Sequence, residues 1–268
     1  MHNERYSMKS LLGRVSLILS LGLLPHAAWA GSLTIAAAAD LKYAMAEVVK
    51  DFRAQRSDDR IEVIYGSSGK FSTQIANGAP FDMFFSADIA YPRELEKKGL
   101  TAGATRPYAV GRIVLWTLKP ELAKTTLSDL PNAPVRKFAI ANPQHAPYGV
   151  RAQEALRHQG VWDAMKPKLV MGENIASTAQ YVDSGAADAG IVALALVLSP
   201  TMQGKGAWTL IPAEWHAPLE QGYAITRRAA ANPLAADFAR YMASEPARAV
   251  MRRYGFALPG EEAGEEGK

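Results

Sequence analysis

The sequence predicts an α/β protein of two lobes, each a sheet flanked by helices. Apolar strand-like runs alternate with amphipathic stretches over residues 33–85, and the alternation resumes over residues 113–196. Strand, helix, strand in that order implies parallel pairing with right-handed crossovers. No low-complexity linker separates the two units, so crossing strands are expected to join them, near Tyr108–Gly111 and Gln221–Ala224. The division that follows is residues 31–109 with 223–268 as a discontinuous first lobe, and 110–222 as the second. One continuous doubly wound sheet is the alternative.

The first thirty residues stand apart. Arg5, Lys9 and Arg14 precede a short apolar run from Val15 to Leu24, and Ala28-Trp29-Ala30 is a small-residue cleavage motif. Residues 1–30 therefore read as a signal peptide cut near Ala30/Gly31, with Met1 or Met8 as the start. The run is too short to span a bilayer, which takes about 20 apolar residues.

Leu33–Ala37 is a strand candidate. Leu41, Ala44, Met45, Val48, Val49 and Phe52 then share one helical face. Ile61–Tyr65 alternates as a second strand, Gly66-Ser67-Ser68-Gly69 turns, Phe71–Ala76 reads as helix and Asp82–Phe85 as strand. Further strands are expected at Ile113–Thr117, Phe138–Ala141, Lys168–Met171, Gly190–Leu196 and Tyr223–Thr226. Helices are expected at Val150–Arg157, Ala176–Asp183, Leu234–Met242 and Pro246–Tyr254.

Composition removes several functions. At 49% hydrophobic and 21% charged, the chain is globular. Residues 31–268 carry 27 Lys and Arg against 25 Asp and Glu, a net +2 that does not predict nucleic-acid binding. With no cysteine there is no disulfide, thiolate metal site or lipidated cysteine anchor. His145, His158 and His216 lack metal-ligand spacing. An unanchored periplasmic protein is expected.

Two segments carry chemistry. Ala36-Ala37-Ala38-Ala39-Asp40-Leu41 closes a strand and opens a helix, with Asp40 standing where a helix cap belongs. Helix N-termini present unpaired amides and a positive dipole end, so they suit anions. Gly66-Ser67-Ser68-Gly69-Lys70 repeats the arrangement with added hydroxyls. It has neither the spacing of a P-loop nor that of a hydrolase nucleophile elbow. Either segment also reads as ordinary capping and packing. Asp82 and Asp88 read as caps and turn formers, and Lys42 and Lys70 as solvated charges or anion-steering groups.

Ala36 to Met45, Gly66-Ser67-Ser68, Ile75 to Asp88, Asn142 to Gly149, Glu173-Asn174-Ile175, Gly190-Ile191-Val192 and Arg253-Tyr254-Gly255-Phe256 together resemble the periplasmic molybdate-binding proteins of ABC importers. The similarity is collinear over nearly all of the chain after residue 30. It implies a type II periplasmic binding fold holding an oxyanion between the lobes through amides and hydroxyls. Carried over, the ligands are the amides of Ala39 and Asp40, Ser68 by hydroxyl and amide, and the amides of Tyr148 and Ile175. Many relatives have a hydroxyl residue where this chain has Asp40, and some have a tyrosine where it has Ala193. Tyr148 stands where others have alanine and is the candidate replacement hydroxyl. Asp40 is expected to turn away and cap its helix, the alternative being contact with a protonated oxyanion.

The function implied is a monomeric receptor, not an enzyme and without cofactor. It would bind molybdate or tungstate and deliver it to an inner-membrane ABC permease. The alternatives are the same fold with phosphate or sulfate, and a secreted hydrolase using Ser67 or Ser68.

Overall fold

Strands of four to seven residues, seven of the ten ending in Ala, Gly or Ser, build the sheets of this computed structural model, which describes residues 31–54 and 56–261. The signal peptide expected over residues 1–30 lies outside the described residues. In chain order the first elements are β1 (Ser32–Ala38), α1 (Lys42–Arg53), β2 (Arg60–Gly66), α2 (Ser68–Ala76), β3 (Met83–Ser86), α3 (Ala90–Lys97) and β4 (Arg106–Gly111). Next come β5 (Ile113–Thr117), β6 (Phe138–Ala141), α4 (Pro147–His158), α5 (Trp162–Met165), β7 (Leu169–Gly172), α6 (Ile175–Asp183), β8 (Ala189–Ala193), α7 (Leu194–Val197) and β9 (Ala207–Leu210). The chain closes with β10 (Leu219–Ile225), α8 (Pro233–Met242) and α9 (Glu245–Arg253).

The strands form two five-stranded sheets, ordered β2-β1-β3-β10-β4 and β7-β6-β8-β5-β9. In the first, β1 runs parallel to β2 and β3, and β10 is antiparallel to β3 and β4. In the second, β6 runs parallel to β7 and β8, and β5 is antiparallel to β8 and β9. The continuous-sheet alternative is thereby excluded. Only Arg112 separates β4 from β5, so the chain changes sheets in a single step.

It returns between Leu210 and Leu219, because the whole of β10 lies in the first sheet. That return comes earlier than expected from the sequence, where Pro218 and Glu220 hide the start of the strand. The strand expected over Gly190–Leu196 ends at Ala193, and Leu194–Val197 is a helical turn. A run buried on every side has no period to separate strand from helix.

Each sheet has its own core. Leu41, Ala44, Met45, Val48 and Phe52, from the expected helical face, pack under the first sheet. The C-terminal helices complete that core. Phe238 of α8 sits edge-on to Phe52 at 5.2 Å and to Phe85 of β3 at 6.1 Å. Trp116, Phe138, Ile140 and Ile191 fill the core of the second sheet. Among the described residues no helix is long and apolar enough to cross a membrane.

Phe238 joins distant parts of the sequence, so it reports on the whole first core. Phe238→Ala should destabilise the protein by about 3–5 kcal/mol, as buried aromatic truncations do. A urea denaturation curve shifted by less than about 1 kcal/mol would show that α8 is not integral to that core.

Candidate functional site

Four helices begin where four parallel strands end, and these ends face one another. A tight turn over Ala39–Leu41 leads from β1 into α1, and α2 follows β2. From the second sheet, α4 follows β6 and α6 follows β7. Local sequence sets each start. Ser67 caps α2, its hydroxyl accepting the Lys70 amide at 3.4 Å. Pro147 opens α4, and the Asn174 side chain caps α6 by accepting the Ser177 amide at 3.0 Å.

Between them lies a small cavity. All five residues singled out in the sequence line it: Ala39, Asp40, Ser68, Tyr148 and Ile175. Each lies in the first turn of a helix, where backbone amides have no acceptor in their own helix. Ser68 is fully buried, and its oxygen accepts the Ala87 amide at 3.0 Å. With that oxygen held, its proton is available to the cavity.

Polar contacts tie the two halves together around this space. The Gly69 amide donates to the His145 carbonyl at 2.9 Å, and His145 Nδ1 meets Ser67 Oγ at 3.0 Å. Lys70 pairs with Glu173 at 2.9 Å, and Arg151 with Asp88 at 3.4 Å. Lys70 is therefore a bridge between halves rather than a free anion-steering charge. Asp88 accepts the Ala90 amide at 2.9 Å in the turn that leads into α3, and Asp82 accepts the Thr34 amide at 2.8 Å.

The capping role expected of Asp40 is not what the structure shows. The turn begins one residue earlier, at Ala39, with no side-chain cap, so Asp40 lies inside the turn. Its carboxyl reaches across to the other half instead. Tyr148 Oη donates to Asp40 Oδ2 at 2.9 Å, and Gln221 Nε2 donates to the same oxygen at 2.7 Å. Tyr108 Oη in turn donates to Gln221 Oε1 at 2.6 Å. The Tyr148 hydroxyl, read as a replacement ligand, is thus engaged with Asp40. Sequence reading missed Gln221 and Tyr108. The signal available was a single amide within the apolar β10, since a buried strand amide needs partners.

Asp40 is 1% exposed, and its Oδ1 has no hydrogen-bond partner among the described residues. Burial pushes its pKa from 3.8 up to about 6, against the opposing hydrogen bonds to the carboxyl from Gln221, Tyr148 and the Asp40 and Leu41 backbone amides. Glycine makes this packing possible. A β-carbon on Gly111 would lie 2.7 Å from Gln221 Nε2 and would overlap Tyr148 Oη.

A cavity ringed by helix starts from two α/β halves is the site of a two-lobed solute-binding protein. The sequence pattern of the bacterial extracellular solute-binding proteins matches residues 33–257, and the chain belongs to that family. It is 35% identical over 253 residues to the molybdate-binding protein ModA of Azotobacter vinelandii, covering 94% of this chain and 100% of that one. To the molybdate-binding protein ModA of Rhodobacter capsulatus it is 31% identical, over 91% and 95% of the two chains. The solved Azotobacter vinelandii periplasmic molybdate-binding protein superimposes with a TM-score of 0.79 at 32% identity, over 85% of this chain and 99% of that one. The family read from the sequence motifs is thus borne out.

The Asp40 environment has a stability signature. An acid with a raised pKa holds its proton in the folded chain and releases it in the unfolded one. Its contribution is present below about pH 4, is lost as pH rises to about 6, and is level above. The upward shift from 3.8 to about 6 corresponds to on the order of 3 kcal/mol. Asp40→Asn should therefore gain stability over the native protein by roughly that amount between pH 4 and pH 7, read by chemical denaturation without anion. A gap that does not change with pH would show that Asp40 is ordinary in the folded state.

Proposed function

We propose that this chain is a monomeric periplasmic receptor that captures molybdate or tungstate between its two lobes and delivers it to an ABC-type membrane permease. The lobes in this reading are the two sheets with their helices, the first taking in the C-terminal α8 and α9. The observation that carries the proposal is the meeting of four helix starts on one small cavity. Amides at helix N-termini, held by the fold, bind an oxyanion without a cationic side chain. In this reading the amides of Ala39, Asp40, Tyr148 and Ile175 and the amide and hydroxyl of Ser68 hold the anion. The relatives named for molybdate binding support the choice among oxyanions. A site of fixed amides selects by size, and molybdate and tungstate are larger than sulfate or phosphate.

Ser67 and His145 invite a second reading, since a serine and a histidine nitrogen 3.0 Å apart are the core of a hydrolase. We read the pair as a latch. Ser67 is buried and already caps α2, and the two residues come from opposite halves. Export through the Ala28-Trp29-Ala30 motif belongs to the same proposal. A mature terminus near Gly31, seen by mass spectrometry of the exported protein, is its expected mark.

Calorimetric titration with molybdate, tungstate, sulfate and phosphate tests the ligand. Molybdate and tungstate should bind more tightly than the smaller anions, and no binding of either would reject the proposal. A hydrogen bond to a charged group contributes about 1.5–3 kcal/mol, so Ser68→Ala should weaken molybdate binding by roughly one to two decades. Equal affinities for Ser68→Ala and native protein would remove the Ser68 hydroxyl from the site.

Gly69→Ala tests closure. Alanine favours a helix by about 1 kcal/mol over glycine. A β-carbon there would stand 2.7 Å from the His145 carbonyl oxygen across the cleft. The variant should therefore fold at least as stably yet bind molybdate more weakly. Solution scattering should find it less contracted than the native protein at saturating anion. Native affinity and native contraction would show that the two halves do not meet there.

A further inference from the structure

We propose that Asp40 serves the closed cleft as a neutral acid, donating a hydrogen bond from Oδ1 to the bound oxyanion, so that each anion captured takes up one proton from solvent. This rests on the oxyanion reading above and deepens it, because Asp40 becomes a side-chain donor as well as an amide donor.

The direction of the surrounding hydrogen bonds carries the argument. Tyr108 donates to Gln221 Oε1, which turns the Gln221 amide nitrogen toward Asp40. That nitrogen donates to Asp40 Oδ2 and also to Tyr148 Oη at 3.1 Å. Tyr148 Oη in turn donates a hydrogen bond to Asp40 Oδ2. Both side-chain donors that reach the carboxyl thus point at one oxygen, which accepts the two bonds as a carbonyl oxygen does. The other oxygen is buried and receives nothing. A carboxylate would leave half its charge on that bare atom, facing a dianion. A carboxylic acid places the O–H there instead, and an oxyanion offers the acceptor it needs.

Among the described residues no neighbouring charge compensates an ionised Asp40. Tyr148 faces it from α4, Gln221 from β10 and Tyr108 from β4, all neutral. Of the elements packed against its turn, α1 brings Lys42 and Tyr43, with Lys42 exposed over the Tyr43 ring at 5.5 Å. From β2 comes half-buried Tyr65, with Arg60 and Glu62 further along the strand, and α6 brings Tyr181 and Asp183 near its far end. There is no titratable side chain in α7. Burial, against the hydrogen bonds that oppose it, has already raised the Asp40 pKa to about 6 without an anion. Above that pH the empty site is ionised and must gain a proton as the dianion enters, which shifts the pKa further upward.

The experiment is calorimetry of the mature native chain with sodium molybdate at pH 6.5, 7.5 and 8.5, in pairs of buffers of different ionisation enthalpy. In this range molybdate is a dianion without a proton of its own. Native Kd should rise about tenfold from pH 7.5 to 8.5, with uptake of about one proton. Asp40→Asn places a permanent N–H donor where the acid O–H would be. It should bind with a Kd that does not change with pH, exchange no proton, and exceed the native affinity at pH 8.5. Tight native binding with a level Kd and no proton uptake overturns this inference and leaves the oxyanion reading standing. The same pH dependence in Asp40→Asn as in the native chain also overturns it, since the proton then resides elsewhere. Absence of molybdate binding at every pH overturns both. Should Asp40→Asn fail to fold by circular dichroism, the proton count of the native chain decides alone.

Discussion

A helix that follows a parallel strand must begin at that strand's carboxyl end, and this constraint organises the molecule. β1, β2, β6 and β7 each hand the chain to a helix, and the carboxyl ends of the two parallel sets face each other. The unpaired amides of the four helices therefore converge whatever side chains surround them. The small residues at these ends follow from the same constraint. Ala38, Ala39 and Ala87 belong to the first half by sequence, yet they pack within the core cluster of the second. Larger side chains there would hold the sheets apart and scatter the amides.

The contacts that close the cleft differ in weight. Lys70 and Glu173 are both largely exposed, so their pair contributes at most about 1 kcal/mol. The buried triad of Asp40, Tyr148 and Gln221 is shielded from water, and both it and the bond from half-buried Gly69 to His145 depend on close backbone approach. Closure is thus set by fit at Gly69 and Gly111 more than by surface charge. An anion that satisfies amides from both halves selects the closed form because only there are all its acceptors used.

Much of this was legible in the sequence. Ile113–Thr117 and Phe138–Ala141 are strands with the expected bounds, because short apolar runs between turn residues have few other uses. The five residues proposed as ligands meet at one cavity because motif and helix start coincide in each segment. What escaped was long-range. β9 has a weak local pattern and is held by its partner β5. The fate of the Asp40 carboxyl depended on Tyr148 and Gln221, which lie 108 and 181 residues away and meet it only through the fold. Local capping rules describe what a side chain does when nothing distant competes for it. Here two buried donors compete, and they win.

The order of strands in the first sheet bears on how the chain is assembled. Every strand of the second sheet lies between Ile113 and Leu210, so that sheet has all its parts once this stretch has emerged from a ribosome or a membrane channel. The first sheet does not. β10 stands between β3 and β4, so until residue 225 arrives β4 has no neighbour to pair with. Phe238 and the rest of its core come later still. The half of the molecule that begins first is therefore finished last. Meanwhile Phe84 and Phe85 of β3 lack their final neighbours, and the nascent chain is open to any holdase that grips exposed aromatic segments.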